Sequence, residues 1–281
     1  MVKWSLYSGA LILKGRPPHA DNNDVTIAEA KEALAHWGGH FCRWTTDFDC
    51  GHETEWWYCL RDTPIELNQF KSKTRNEINR GLRTTSYRLL NADEIKSLLP
   101  AMYNVAIESF SEYPAKYRPV LKINNFSKSI EQHVKSATSH VWGCFDRDTG
   151  EMVGYSVCGL VDGVVHLWIV KIRPTFLKNR VNAGLVFTLC KYYLNEQSCH
   201  YVCDGQRNIR HETNYQNYLV KTLGFRKAYC RLNIVYSPIM NVVVKILYPI
   251  RGLLKLLSNH SAILYNIYCV LKQEEYARSF R

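Results

Sequence analysis

Three apolar, alternating runs follow one another between Ser139 and Ile172. They are SHVWGCFD, EMVGYSVCGLV and VVHLWIVKI, joined by Arg-Asp-Thr-Gly and then by Asp-Gly. Connections this short allow only hairpins, so the segment is predicted to fold as an antiparallel meander. Such a sheet needs cover on its apolar faces, and the flanking sequence supplies helices. Asn91 reads as an N-cap before a helix over 92–110, and a second helix is predicted from Phe126 to Ser136. Downstream come a helix from Gly184 to Leu194, the strand HYVCD, a helix from Thr213 to Leu223 stopped by Gly224, and the strand FRKAYCRLNIVY. Upstream, Ile27–Trp37 has helical spacing and ends at Gly38-Gly39. FCRWTTDFD and TEWWYCLRD read as strands joined by a Cys-Gly-His turn, and Ile65–Leu82 as a basic helix. The predicted class is α/β of the α+β kind, with a mixed central sheet flanked by helices. The boundaries expected are an N-terminal half-unit 1–85, a main domain 86–238 and a helical extension 239–281.

Charge is placed unevenly on this chain of 281 residues and net charge +11. Residues 1–85 hold 11 basic and 11 acidic side chains, and residues 86–170 hold 8 and 9. Residues 171–281 hold 17 basic against 5 acidic. A positive field so concentrated points to an anionic partner: a phosphorylated cosubstrate, a nucleic acid or an acidic membrane surface. A hydrophobic fraction of 46% excludes a disordered chain. The ten cysteines are scattered, mostly in apolar runs, which fits buried thiols in a reducing cytosol. Cys42, Cys50, His52 and Cys59, and again Cys199, His200 and Cys203, lack paired C-x-x-C knuckles, so no metal is expected. No run of about twenty apolar residues is present, so no transmembrane helix is expected.

The order and the segments VVHLWIVKIRPTFLKNRVNAGLVFTLCKYY, YVCDG and NYQNYLVKTLGFRKAYCRL resemble the GNAT acyltransferase fold over residues 86–236. In that family a strand and a Pro lead to a loop of pattern R-G-x-G-x-G/A and a helix, and a later helix ends at a Gly-Phe pair. Pro174, the Gly184 helix and Gly224-Phe225 fall at matching distances. The family's leading Arg is Leu177 here, and its glycines are Lys178, Arg180 and Asn182. Backbone N–H groups of the family loop wrap the donor's pyrophosphate at a helix N-terminus. The resemblance therefore implies a donor site at Lys178, Asn179, Arg180, Asn182, Ala183 and Gly184, with Lys178 and Arg180 gripping phosphate through side chains. It also implies that VVHLWIVKI and HYVCD splay apart, with backbone donors near Val170 and Ile172 on the acyl carbonyl. The family's Tyr general acid is Val220 here, with Tyr218 the nearest replacement.

A narrower resemblance is to the Fem-type aminoacyltransferases, which take an aminoacyl-tRNA as donor and carry a basic helix of pattern K-x-x-R-x-x-I-x-x-A/G. Lys71, Lys73, Arg75, Ile78, Arg80 and Gly81 are similar to it. Their Phe-Lys-x-x-Phe element is similar to Val220–Phe225. Residues 1–85 would be a truncated first unit.

Acyl transfer needs a held carbonyl, a deprotonated nucleophile and a stabilised oxyanion. The polar run 204–214 stands where the family places its chemistry. His211 or Glu212 reads as the base, Asp204 as its orienting partner and Lys221 as a stabiliser of oxyanion or phosphate. The alternative for 204–214 is a solvated loop with Thr213 as helix N-cap. Trp56, Trp57 and Tyr58 form either a stacking platform or sheet packing.

The function expected is N-acyltransferase activity on an amine or hydroxyl of a small-molecule, glycan or cell-envelope acceptor. Acetyl-CoA or another acyl-CoA is the first donor and aminoacyl-tRNA the alternative. The competing reading is a degenerate GNAT fold that binds an anionic nucleotide, RNA or lipid without catalysis. The tail after Met240 carries cations among apolar residues and either packs on the main domain or lies on an anionic membrane. The location expected is cytoplasmic, or peripheral to the inner face of the membrane.

Overall fold

The computed structural model describes residues 4–7, 9–20, 22–111, 113, 118–209, 214–258 and 260–280. The chain forms two compact units. Unit 1 gathers 1–59, 206–216 and 227–281; unit 2 gathers 60–205 and 217–226. The elements before the first crossing are β1 (Trp4–Tyr7), β2 (Ala10–Leu13), α1 (Ile27–Trp37), β3 (Phe41–Thr46) and β4 (Trp57–Arg61). Next come α2 (Ser72–Thr84), β5 (Thr85–Leu89), α3 (Ala92–Ser109), α4 (Ile123–Lys135), β6 (Ser139–Asp146), β7 (Met152–Val161) and β8 (Val164–Ile172). The chain then forms α5 (Val181–Cys190), β9 (Tyr201–Gln206), α6 (Tyr215–Thr222), β10 (Arg226–Tyr229) and β11 (Arg231–Tyr236). It ends in α7 (Pro238–Leu247), α8 (Arg251–Leu257) and α9 (Ala262–Arg278).

In unit 1 the sheet order is β1-β2-β3-β11. β1 and β2 form a hairpin, β2 runs parallel to β3, and β11 closes antiparallel on β3. The helix α1 starts at a reciprocal cap between Thr26 and Glu29 and stops at Gly38, whose φ is 73°. Its buried residues Ala30, Ala33 and Leu34 pack with Leu11, Cys42, Trp44 and Val235. The sequence pairs β3 with β4 through a Cys-Gly-His turn. Instead β3 lies between β2 and β11, while β4 pairs with β10. The ten residues between β3 and β4 turn through left-handed Asp47, Asp49 and Gly51, and Cys50 N is held by the Tyr229 carbonyl at 3.0 Å. The run read as one strand, FRKAYCRLNIVY, is interrupted at Cys230, so that β10 pairs with β4 and β11 with β3. Trp56, Trp57 and Tyr58 are buried, which fits sheet packing rather than an open stacking platform.

In unit 2 the meander β6-β7-β8 forms as the turns demand, and β5 adds antiparallel to β6. The helix α3 begins at Asn91, whose side chain accepts from Asp93 N and Glu94 N. Met102 and Val105 of α3 and Phe126 and Ile130 of α4 bury against Val141, Phe145, Tyr155 and Val157 on one face of the sheet. The other face takes α5, which is buried nearly all round. That helix runs from Val181 rather than Gly184, and it continues as a π-helical turn, Lys191–Glu196. The extra residue in this turn aims Tyr193 at the sheet. Its hydroxyl accepts from Trp142 Nε1 and lies 3.0 Å from His140 Nδ1.

Arg61 fixes the end of α6. It is 5% exposed. It donates to the carbonyls of Leu223 at 3.1 Å and Gly224 at 3.3 Å, of Thr63 at 3.0 Å and of Pro64 at 2.7 Å. Gly224 has φ 70°, and a Cβ there would stand 2.2 Å from Arg61 Nη1. The Gly of Gly-Phe thus serves a left-handed turn and a close guanidinium at once. Arg61→Met leaves four carbonyls without this donor and is expected to cost about 3 kcal/mol of stability or more. A urea midpoint equal to that of the parent would show that Arg61 holds nothing.

Candidate active site

β8 and β9 run parallel but pair only at Val164–Tyr201, Val165–Val202 and His166–Cys203. Beyond that point β8 continues to Ile172 and β9 to Gln206, with the two strands apart. Arg173 N donates to the Val153 carbonyl at 2.9 Å. Backbone direction alternates along an antiparallel strand. The N–H and C=O groups of Ile172 and Val170 therefore point away from β7, into the gap. A register slip between Val157 and Cys158 places Ile169 opposite Val157 and Leu167 opposite Cys158. Trp168 is the additional residue of this bulge, a device that re-aims backbone beside active sites. At the far side of the gap Gly205 has φ 97° and open space at its Cβ position.

The start of α5 lies beneath α2. Only Ile78 and Gly81 of α2 are buried, three residues apart on one face. A Cβ on Gly81 would stand 2.5 Å from the Arg180 carbonyl oxygen and 2.9 Å from Gly184 N. The two helices meet backbone to backbone. From β5, Tyr87 Oη donates to the Val181 carbonyl at 3.0 Å. A Cβ on Gly184 would stand 2.3 Å from that same oxygen. Ala183 N and Gly184 N donate to the Arg180 carbonyl at 3.0 and 3.2 Å. α2 and Tyr87 thus crowd the first turn of α5, the end at which a pyrophosphate cradle would form.

The sequence-predicted residues fall into separate places. Val170 and Ile172 line the gap, with Asp204 half-buried on β9. Lys178 is exposed and Asn179 half-buried on the 3-10 turn before α5, while Ala183 and Gly184 are buried and Asn182 half-buried. Arg180, with φ 61°, puts its guanidinium 3.5 Å from Glu77 of α2. Tyr218 belongs to that corner: burial and Glu77 push its hydroxyl up to about 12, against the opposing pull of Arg180. Lys221 is exposed in the last turn of α6. His211 and Glu212 lie outside the described residues. Among the described residues no group of three or more His, Cys, Asp or Glu is placed to hold a metal ion.

Lys171 is not among the residues that the sequence marks for the site. Its Nζ lies 4.0 Å from the centre of the Phe110 ring and 6.0 Å from that of Tyr113. An aromatic face favours the ammonium form and burial disfavours it. Burial wins and lowers the amine to about 8. On the next residue but one, Arg173 pairs with Glu151 and, at 3.4 Å, with Glu108. The available signal was a single Lys near the end of an apolar strand, VVHLWIVKI, whose backbone faces the gap.

If α2 rests on α5 backbone to backbone, Gly81→Ala must push α2 away. The expected loss is about 1–3 kcal/mol, read as a lowered denaturation midpoint. An unchanged midpoint would mean that α2 does not rest on α5 as described.

No family model matches the chain, and no curated protein matches it in sequence. Solved structures do match. The C-terminal domain (DUF2156) assigned to a lysylphosphatidylglycerol synthetase of Agrobacterium fabrum is 8% identical with a TM-score of 0.55, over 87% of this chain and 83% of that one. The L-PGS of Bacillus licheniformis is 11% identical with a TM-score of 0.51, over 88% of this chain and 83% of that one. A FemX structure matches over 68% of this chain and 63% of its own, at 9% identity and a TM-score of 0.48. The chain therefore has a GNAT-like fold, and over most of its length that fold is similar to the first two of these structures.

Proposed function

We propose that this chain is an acyltransferase that moves an aminoacyl group from an aminoacyl-tRNA to an amine or hydroxyl acceptor. The observation that carries this reading is the seat of α2 on the start of α5. It crowds the helix turn at which a coenzyme A pyrophosphate would be cradled. Lys71 just before α2 and Lys73, Arg75, Arg80 and Arg83 on it are exposed, which suits the phosphates of a nucleic acid. The similarity in fold to a lysylphosphatidylglycerol synthetase domain agrees with an aminoacyl group as cargo.

In this reading the aminoacyl ester lies in the gap between β8 and β9. The backbone N–H of Val170 or of Ile172, two residues apart on the same strand edge, holds its carbonyl oxygen and stabilises the negative charge that develops there. Lys171, in its neutral form, takes the proton of the attacking amine or hydroxyl. The nucleophile bonds to the carbonyl carbon and the ester C–O bond to the ribose breaks. Lys171 then returns the proton to the departing ribose hydroxyl, and the charge balances. With an amine at about 8, the neutral fraction grows about tenfold per pH unit below that value and levels above it.

Turnover is accordingly expected to rise through neutral pH and flatten above about 8. Lys171→Met should remove that titration and cut turnover by about 10²–10⁴-fold. A Lys171→Met enzyme with the parental pH profile would end the assignment of Lys171 as base. The donor is tested by binding. Aminoacyl-tRNA should bind with a strong salt dependence that lessens when Lys73, Arg75 and Arg80 are changed to Gln. Binding of coenzyme A in place of aminoacyl-tRNA would overturn the donor.

A further inference from the structure

The last three helices have two apolar sides. On the inner side Val244 of α7, Leu254 of α8 and Leu271 of α9 meet in one small core, joined by Met240, Leu247 and Leu264. The outer side is apolar as well. Ile239, Val242 and Ile246 recur three and four residues apart on α7, opposite Val244, and are 78%, 56% and 64% exposed. Leu253 and Leu256 continue the stripe on α8 at 56% and 71%. Because Val244 and Leu254 are buried in the same cluster, the outer sides of α7 and α8 face away from one core. A surface helix normally turns polar residues outward, and contiguous apolar exposure marks an interaction site.

Charge says what covers it. From Pro238 to Gln273 the sequence holds Lys245, Arg251, Lys255 and Lys272 and not one Asp or Glu. Lys245 and Lys255 are exposed beside the stripe. A second copy of the same face would bring cations against cations, whereas an anionic phospholipid surface offers hydrocarbon to the stripe and phosphate to the lysines. With ten residues α7 is about 15 Å long, too short for a bilayer core of about 30 Å. Among the described residues no helix is long and apolar enough to cross a membrane. We infer that α7 and α8 lie on an anionic membrane, with Ile239, Val242, Ile246, Leu253 and Leu256 inserted among the acyl chains and Lys245 and Lys255 at the phosphates. This inference does not depend on which acyl donor is used.

The test is flotation of the full chain with vesicles of phosphatidylcholine alone and of phosphatidylcholine mixed with phosphatidylglycerol. The parent is expected to float with the mixed vesicles, and less so in high salt. Ile246→Glu with Leu253→Glu replaces exposed side chains, so folding is retained, as circular dichroism would verify. It should weaken partitioning at least tenfold. Lys245→Gln with Lys255→Gln should weaken binding to the mixed vesicles by about fivefold per charge. Failure of the parent to float would overturn the proposal, and so would parental binding by the folded Glu variant. A dimer in light scattering that the Glu variant dissociates would assign the face to a second copy and overturn it too.

Discussion

Contact of α2 with α5 through Gly81 is the constraint on which the rest of unit 2 turns. Two helices can approach to backbone distance only where neither carries a Cβ in the way, and Gly81 provides that on α2. Ile78, three residues earlier, supplies the apolar contact beside it. Arg180 beside it is left-handed, and its guanidinium reaches back to Glu77. Tyr87 packs against the same turn from β5. The consequence is chemical. The first turn of α5 is crowded by α2 and Tyr87, and the four cations of α2, Lys73, Arg75, Arg80 and Arg83, are exposed.

The gap between β8 and β9 is the complementary feature. It arises because parallel pairing stops after His166 and Cys203, while a bulge at Trp168 resets the antiparallel register on the other edge. The backbone of Val170 and Ile172 is left facing an opening with its hydrogen-bonding groups preorganised, which is what a developing oxyanion requires. Lys171 is held on the perpendicular face, where the Phe110 ring and burial pull its amine in opposite directions and burial prevails.

The parts of this arrangement that local chemistry determines were legible in the sequence. Asp-Gly and Arg-Asp-Thr-Gly force the meander, Asn91 with Glu94 forces the start of α3, and Gly38 forces the end of α1. The position of Val170 and Ile172 in the strand before Pro174 followed from the same pattern. What the sequence hid depends on distant partners. FRKAYCRLNIVY has no Gly or Pro to announce the break at Cys230. The separation of β3 from β4 reflects a partner, β11, nearly two hundred residues away. The spacing of Ile78 and Gly81 was visible, but its meaning required the helix it lies on. Lys171 looked like an ordinary strand residue because its lowered amine comes from its surroundings. The Lys178 and Arg180 substitutions read as phosphate grips. In the fold Arg180 is engaged with Glu77, and only Lys178 of the two is free of a carboxylate among the described residues.

The donor proposed here is an aminoacyl-tRNA rather than an acyl-CoA. The most direct measurement is single-turnover transfer with the full chain, using radiolabelled aminoacyl-tRNA and, in parallel, radiolabelled acetyl-CoA, against a panel of amine and hydroxyl acceptors. Label moving to an acceptor from aminoacyl-tRNA, and not from acetyl-CoA, is the predicted result. Label moving from acetyl-CoA while aminoacyl-tRNA stays intact would contradict it.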